Sequence, residues 1–359
     1  MMKTRLESDS IGTMEVPVEA YYGVQALRAK KNFPITGTSL HPVFIKNLAL
    51  IKKAAAFTNN TAGFLSKDVA DAIETACDEV ISGKFSDEFI VDAIQGGAGT
   101  SANMNMNEVL ANRAGELLGD AKGNYSRVHP NDHVNMAQST NDVIPTAGKL
   151  TVLDLLHPLI TELLHLETAL RAKADEFDDV LTMGRTQLQD AVPIRLGQVF
   201  HGYASMISRD RKRIEKSRRE MYTVNLGGTA VGTAINVSDS YFNKIVPNLS
   251  ILTGYPLSQS ADLFDATENL DGFVAVSGVL KTCAVDLSKM CNDLRLMSSG
   301  PKTGFGEINL PAKQNGSSIM PGKINPVIPE VVSQVAFHIV GHDTTITMAA
   351  EAGQLELNA

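Results

Sequence analysis

The sequence predicts an all-α protein, mainly helical and organised around a central bundle of long helices, and three observations carry that prediction. Between 190 and 222, Leu196, Val199, Phe200, Tyr203, Met206, Ile207 and Ile214 recur at spacings of three, four and seven, the stripe of one buried helix face. Segments 151–176 and 267–298 show the same pattern at similar length. A fourth segment, 326–353, opens with Asn325 as N-cap and Pro326 at the first helical position. These stretches run to about 25 to 35 residues, well beyond an average globular helix, and long helices with few strands between them pack as a bundle.

Ahead of the bundle, residues 1–138 are expected to form a separate, mainly helical domain with shorter helices near 42–63, 67–82 and 104–118. Residues 139–359 then make the long-helix bundle domain. The cationic cluster from Arg209 to Arg219 falls mostly off the apolar stripe and is expected to be a solvated helix face. Turn-rich polar stretches separate the long segments: "HPNDHVNMAQSTNDVIP" (129–145), "GRTQLQDAVP" (184–193), "NLGGTAVGTAIN" (225–236) and "GSSIMPGKINP" (316–326). All four carry hydroxyl and amide side chains with hardly any charge, which is more than a linker needs.

At 359 residues the chain is long enough for two or three domains. A net charge of −8 argues against a nucleic-acid partner, which needs a basic face, and favours a small metabolite. Cys77, Cys283 and Cys291 lack zinc-site spacing and cannot form a disulfide framework, so reduced core thiols are expected. The opening "MMKTRLESDSIG" has acids where a signal peptide needs an apolar run, and no uninterrupted apolar run reaches the roughly 18 residues of a membrane span. A cytoplasmic location is expected.

The stretch "GGAGTSANMNMNE" (96–108) matches GxGxxA through Gly97, Gly99 and Ala102, and "EFIVDAIQ" before it could pass for a strand. A dinucleotide turn needs a βαβ unit, and the chain shows no parallel-strand alternation. Two other readings stand beside it: Thr100, Ser101 and asparagines 103, 105 and 107 as donors to a carboxylate, or a glycine-rich turn before a helix. His129 and His133 have a helical zinc spacing, but Pro130 lies between them and no third ligand follows. Ser139, Thr140, Asn141 and Asp142 form either an N-cap or a donor cluster. In the fourth stretch, Ser317 lies near Lys323 and a helix start, and a cation, loop N–H groups and a helix N-terminus can together stabilise a serine oxyanion without a histidine.

These blocks resemble, in order and over essentially the whole chain, the fumarase/aspartase superfamily of lyases, which release fumarate from succinyl compounds. "GSSIMPGKINP" is similar to its signature loop, and "GGAGTSANMNMNEVLANRA", "HPNDHVNMAQSTND", "GRTQLQDAVP" and "GGTAVGT" to its other blocks. Gln187 and the Ser139-Thr140-Asn141 run point to the aspartase branch, since fumarases usually carry histidine and Ser-Ser-Asn there. A fumarate hydratase is the alternative, and a non-catalytic truncated structural relative is another.

The resemblance implies the roles. Ser317 on a mobile loop is the general base for the Cβ proton of L-aspartate. Thr100, Ser139, Thr140 and Ser318 surround the β-carboxylate, Asn141 and Gln187 hold the amino group, and Thr186, Lys323 and Asn325 bind the α-carboxylate. It also implies a homotetramer with shared active sites, and neither a cofactor nor a resident metal is expected. The chain ends at "GQLELNA", where relatives continue, so the C-terminal part of the family fold is expected to be absent.

Overall fold

In the structure, a computed structural model describing residues 3–358, helix accounts for 57% and strand for 9%, so the all-α expectation holds. The first elements are nevertheless a hairpin, β1 (Thr4–Asp9) and β2 (Gly12–Pro17), whose turn is closed by Asp9 Oδ1 accepting from the Ile11 and Gly12 N–H groups. Helix α1 (Val24–Asn32) starts on two buried carboxylates. The Gly23, Gln25 and Ala26 N–H groups donate to Glu108 and that of Val24 to Glu7, satisfying donors that a helix start leaves without partners.

Helix α2 (Pro42–Thr61) opens with Pro42 where no N–H is needed, and the His41 ring nitrogen accepts from Val43 N–H. Then come α3 (Lys67–Ile81), α4 (Thr100–Leu117) and a five-residue π-helical turn, Pro130–Val134. Helix α5 (Thr140–Glu176) is followed by a second hairpin, β3 (Leu181–Thr186) and β4 (Gln189–Arg195), and by α6 (Leu196–Ser217). The short strands β5 (Thr223–Val224) and β6 (Ser258–Gln259) pair in parallel around α7 (Asp239–Thr253). Helices α8 (Asp265–Glu268), α9 (Asp271–Met297) and α10 (Val327–Glu351) complete the order.

Two compact units emerge, and they interleave along the sequence. One comprises the described residues up to Leu155, Met221–Leu270 and those from Ala352 onward; the other comprises Leu156–Glu220 and Asp271–Glu351. Neither coincides with 1–138 or 139–359. In the first unit α2 packs on α3 and α7, and α4 on α1 and α3, around Leu48, Ile51, Ile73, Met106, Leu110 and Leu249. In the second, α9 packs along α6 and α10 with Ile207, Ile214, Cys283, Met290 and Ala336 buried. Each fully buried aliphatic side chain contributes about 1.5–3 kcal/mol. All three cysteines are buried and free, as expected.

Four expectations need correction. The helix read over 190–222 begins only at Leu196, because 181–195 is the β3–β4 hairpin. Its turn, Gln187 and Leu188, has φ of 53° and 62°, a pair of left-handed residues for which Asn-Gly is the usual sequence. Helix α5 starts eleven residues before 151 and runs through Pro145. That proline leaves the Asn141 carbonyl without its helical N–H, and Asn225 Nδ2 donates to it instead at 3.0 Å. Residues 88–95 form no strand beyond an isolated bridge between Ser39 and Asp92. Finally, α10 starts at Val327, and the Asn325 side chain does not cap it but donates to the Gly316 carbonyl. By length and composition alone α5 could cross a membrane, with mean hydropathy 1.3 in one 18-residue window, though a core helix passes the same test.

Candidate active site

The first unit gathers Thr100, Ser139, Thr140 and Asn141. Gly99, at φ 86°, makes the turn into α4 and puts Thr100 exposed at the helix start. A cavity of about 660 Å³ opens there, lined by Thr100, Ser101, Met104, His129, Asn131 and Arg28 among others, ample for a small dicarboxylate. Ser139 caps α5: its N–H donates to Asp142 Oδ1 and its hydroxyl accepts from Asn141 N–H. The Asn141 amide donates to the Ala230 carbonyl at 2.7 Å, tying the helix start to the "GGTAVGT" loop. Asp142 Oδ2 takes the Gly227 and Thr229 N–H groups of that loop.

Beneath this surface lies a buried polar cluster. Thr140 is 9% exposed, and its Oγ1 accepts from Asn103 Nδ2 at 3.0 Å. Asn135 Oδ1 accepts from Asn103, from Asn107 and from Lys52 Nζ at 2.8 Å, and Lys52 also donates to Gln138. Lys52 is wholly buried, and that burial lowers its pKa to about 7 against the opposing pull of Asp142. Asp142 is raised to about 6 by burial, opposed by its three N–H donors and by Lys52. Asparagines 103, 105 and 107 therefore face inward, not towards a ligand as the sequence suggested; Asn105 accepts from Ile90 N–H and donates to the Glu88 carbonyl.

The second unit holds Thr186, Gln187, Ser317, Ser318, Lys323 and Asn325. Thr186 and Gln187 are exposed at the tip of the β3–β4 hairpin, Gln187 in the left-handed conformation that costs a non-glycine residue energy and is typical of functional turns. Neighbouring Arg185 pairs with Glu307 and Asp190 and lies over the Phe305 ring, 4.7 Å from its centre. The 316–325 loop is closed on itself at Gly316, whose N–H donates to the Lys323 carbonyl while its own carbonyl accepts from Asn325 Nδ2. A Cβ at 316 would sit 2.7 Å from Asn325 N, so only glycine fits this closure. Ser317 is half-buried, and its Oγ accepts from Ile319 N–H at 3.3 Å and Met320 N–H at 3.0 Å, the loop donors an oxyanion needs. Ser318 and Lys323 are exposed.

Sequence reasoning missed Lys52, Asn135 and Arg185. Lys52 had a signal, a charge inside the apolar run "LALIKKAAAF"; Asn135 and Arg185 lie inside polar stretches that drew attention through other residues. The histidine pair is spent locally, His129 Nδ1 accepting from Asn131 and Asp132 N–H and His133 Nδ1 from His129 N–H. No cluster of three metal-ligating side chains occurs among the described residues.

A family model described as lyase matches residues 12–341. An aspartate ammonia-lyase of Bacillus sp is 55% identical over 99% of this chain and 76% of its own length. This chain belongs to the lyase family of the fumarase/aspartase superfamily. Solved structures agree with that membership in the lyase family: a fumarate lyase:delta crystallin from Brucella melitensis superposes with a TM-score of 0.96 at 51% identity, over 99% of this chain and 78% of that one. A class II fumarase from Schistosoma mansoni superposes equally well, at 0.96, with 38% identity over the same shares. The expected absence of a C-terminal part of the lyase fold finds no support in these alignments, which run over 99% of this chain.

Proposed function

We propose that this protein reversibly deaminates L-aspartate to fumarate and ammonia. The observation that carries the reading is 55% identity, over 99% of the chain, to a protein named for that activity, against 38% to the fumarase. The proposed chemistry suits the donor set. Ser317, as alkoxide steadied by the Ile319 and Met320 N–H groups, takes the Cβ proton. The electron pair left behind gathers on the β-carboxylate as an aci-carboxylate, where Thr100, Ser139, Thr140 and Ser318 donate to it. That pair then forms the carbon–carbon double bond as the Cα–N bond breaks and nitrogen departs as ammonia. Charge that grows in the transition state is stabilised best by fixed uncharged donors, which is what the recurring polar stretches supply.

In the same reading Asn141 and Gln187 hold the amino group, while Thr186, Lys323 and Asn325 bind the α-carboxylate. The loop carrying Ser317 closes over substrate and excludes water. A cytoplasmic homotetramer with shared active sites belongs to the proposal. Its test is fumarate formation, followed by ultraviolet absorbance, from L-aspartate and from L-malate supplied separately. Aspartate is expected to react much faster; equal or reversed rates assign a fumarate hydratase instead, and no reaction with either assigns a non-catalytic relative.

A further inference from the structure

We propose that Asn103 is a positioning residue for this reaction: held by Lys52 and Asn135, its side-chain amide donates to Thr140 Oγ1 and thereby turns the Thr140 hydroxyl hydrogen away from the protein and towards the substrate carboxylate. The inference rests on the reading that Thr140 meets that carboxylate.

The direction of every bond in the chain is forced from its two ends. Asn135 Nδ2 donates to the Gln138 backbone carbonyl, which can only accept, so Asn135 must turn its Oδ1 inward. Lys52 Nζ donates to that same oxygen and to Gln138 Oε1, and the Gln138 amide is fixed in turn by donating to the Val134 and Met136 carbonyls. An amine has hydrogens enough for both bonds whether or not it carries the extra proton. With Asn135 presenting an acceptor, Asn103 must present its NH2 group, and one of the two hydrogens of that group reaches Thr140. Asn103 Oδ1 is left buried with no hydrogen-bond partner, a cost that a flip of the amide would relieve only by setting oxygen against oxygen at Asn135.

The consequence falls on Thr140. Thr146 and Thr151, further along α5, donate their hydroxyls to carbonyls four residues back, the ordinary outlet for a helical threonine. Thr140 sits at the helix start, accepts from Asn103, and donates to no group among the described residues. Its hydrogen is thus held ready for an external acceptor. A preoriented donor loses less on meeting developing charge than one that must first break a bond to the protein.

The test is a double-mutant cycle on the full-length, assembled protein. Asn103→Asp puts an acceptor where the NH2 group was, so the Thr140 hydroxyl turns inward. The expected loss in kcat/KM for L-aspartate is about ten- to a hundredfold, carried chiefly by kcat. Thr140→Val is expected to lose a similar factor, and the double variant no more than Thr140→Val alone. Asn103→Ala, which removes the donor without adding charge, carries the same cycle if Asn103→Asp does not assemble. Losses that multiply in the double variant, or that appear in KM alone, overturn the proposal. Wild type is assayed in parallel with L-malate, whose carboxylate meets the same hydroxyl. Reaction with malate alone overturns the aspartate reading and leaves the cycle to be read with malate; if wild type turns over neither, the cycle is read from succinate binding by calorimetry.

Discussion

At Gly316 a single hydrogen atom decides whether the loop can close on itself. Its N–H and carbonyl tie Lys323 and Asn325 together, and a methyl group there would press on the Asn325 amide and the Lys323 carbonyl, at 2.7 and 2.8 Å. Gly316→Ala should therefore open the ring and lower kcat for L-aspartate by roughly tenfold or more, since misplacement of a base by about 1 Å costs up to a hundredfold. The melting temperature should hold, because the loop around it is largely exposed. A fully active Gly316→Ala enzyme would show that the ring has no part in placing Ser317. At this scale residue types were legible in the sequence but directions were not. "GSSIMPGK" announced its serine and lysine, yet the asparagines of "SANMNMNE" look like ligand donors and are instead buried behind the surface they support. Nothing in a one-dimensional pattern says which side of a helix faces a ligand when both sides are polar.

Among the elements, α1 depends most on charges remote in sequence. Burial pushes Glu108 up from its ordinary 4.5 to about 7, against the three α1 N–H groups that favour its charged form. Below about pH 4.5 the group is protonated in both the folded and the unfolded chain, and its contribution to stability is fully present. As pH rises from 4.5 through 7 the unfolded chain releases the proton first, so that contribution is lost. Glu108→Gln cannot titrate and should remove this fall, so that any deficit it shows at low pH shrinks as pH rises towards 7. Melting temperature against pH checks it; an equal fall in variant and wild type would assign the dependence elsewhere. The long helices were legible because apolar stripes at helical spacing need no partner to be recognised: α6, α9 and α10 begin within a few residues of their stripes, and α5 eleven residues ahead of its own. The two antiparallel hairpins were not. Their strands are half-exposed, and the β3–β4 turn is made by Gln-Leu in place of a glycine signal.

For the whole molecule, the interleaving of the two units was beyond the sequence, since the return of Met221–Leu270 to the first unit rests on contacts such as Asn248 to Thr58 and Asn225 to Asn141, far apart along the chain. Order of motifs was legible throughout; the way the chain doubles back was not. The claim that joins residue, element and molecule is that Ser317 removes the Cβ proton of L-aspartate, and the most direct test is the steady-state turnover of Ser317→Ala. The account predicts a kcat lower by roughly a hundred- to ten-thousand-fold, with succinate binding and assembly size little changed. Near-normal turnover by a Ser317→Ala protein of unaltered fold and size would contradict it.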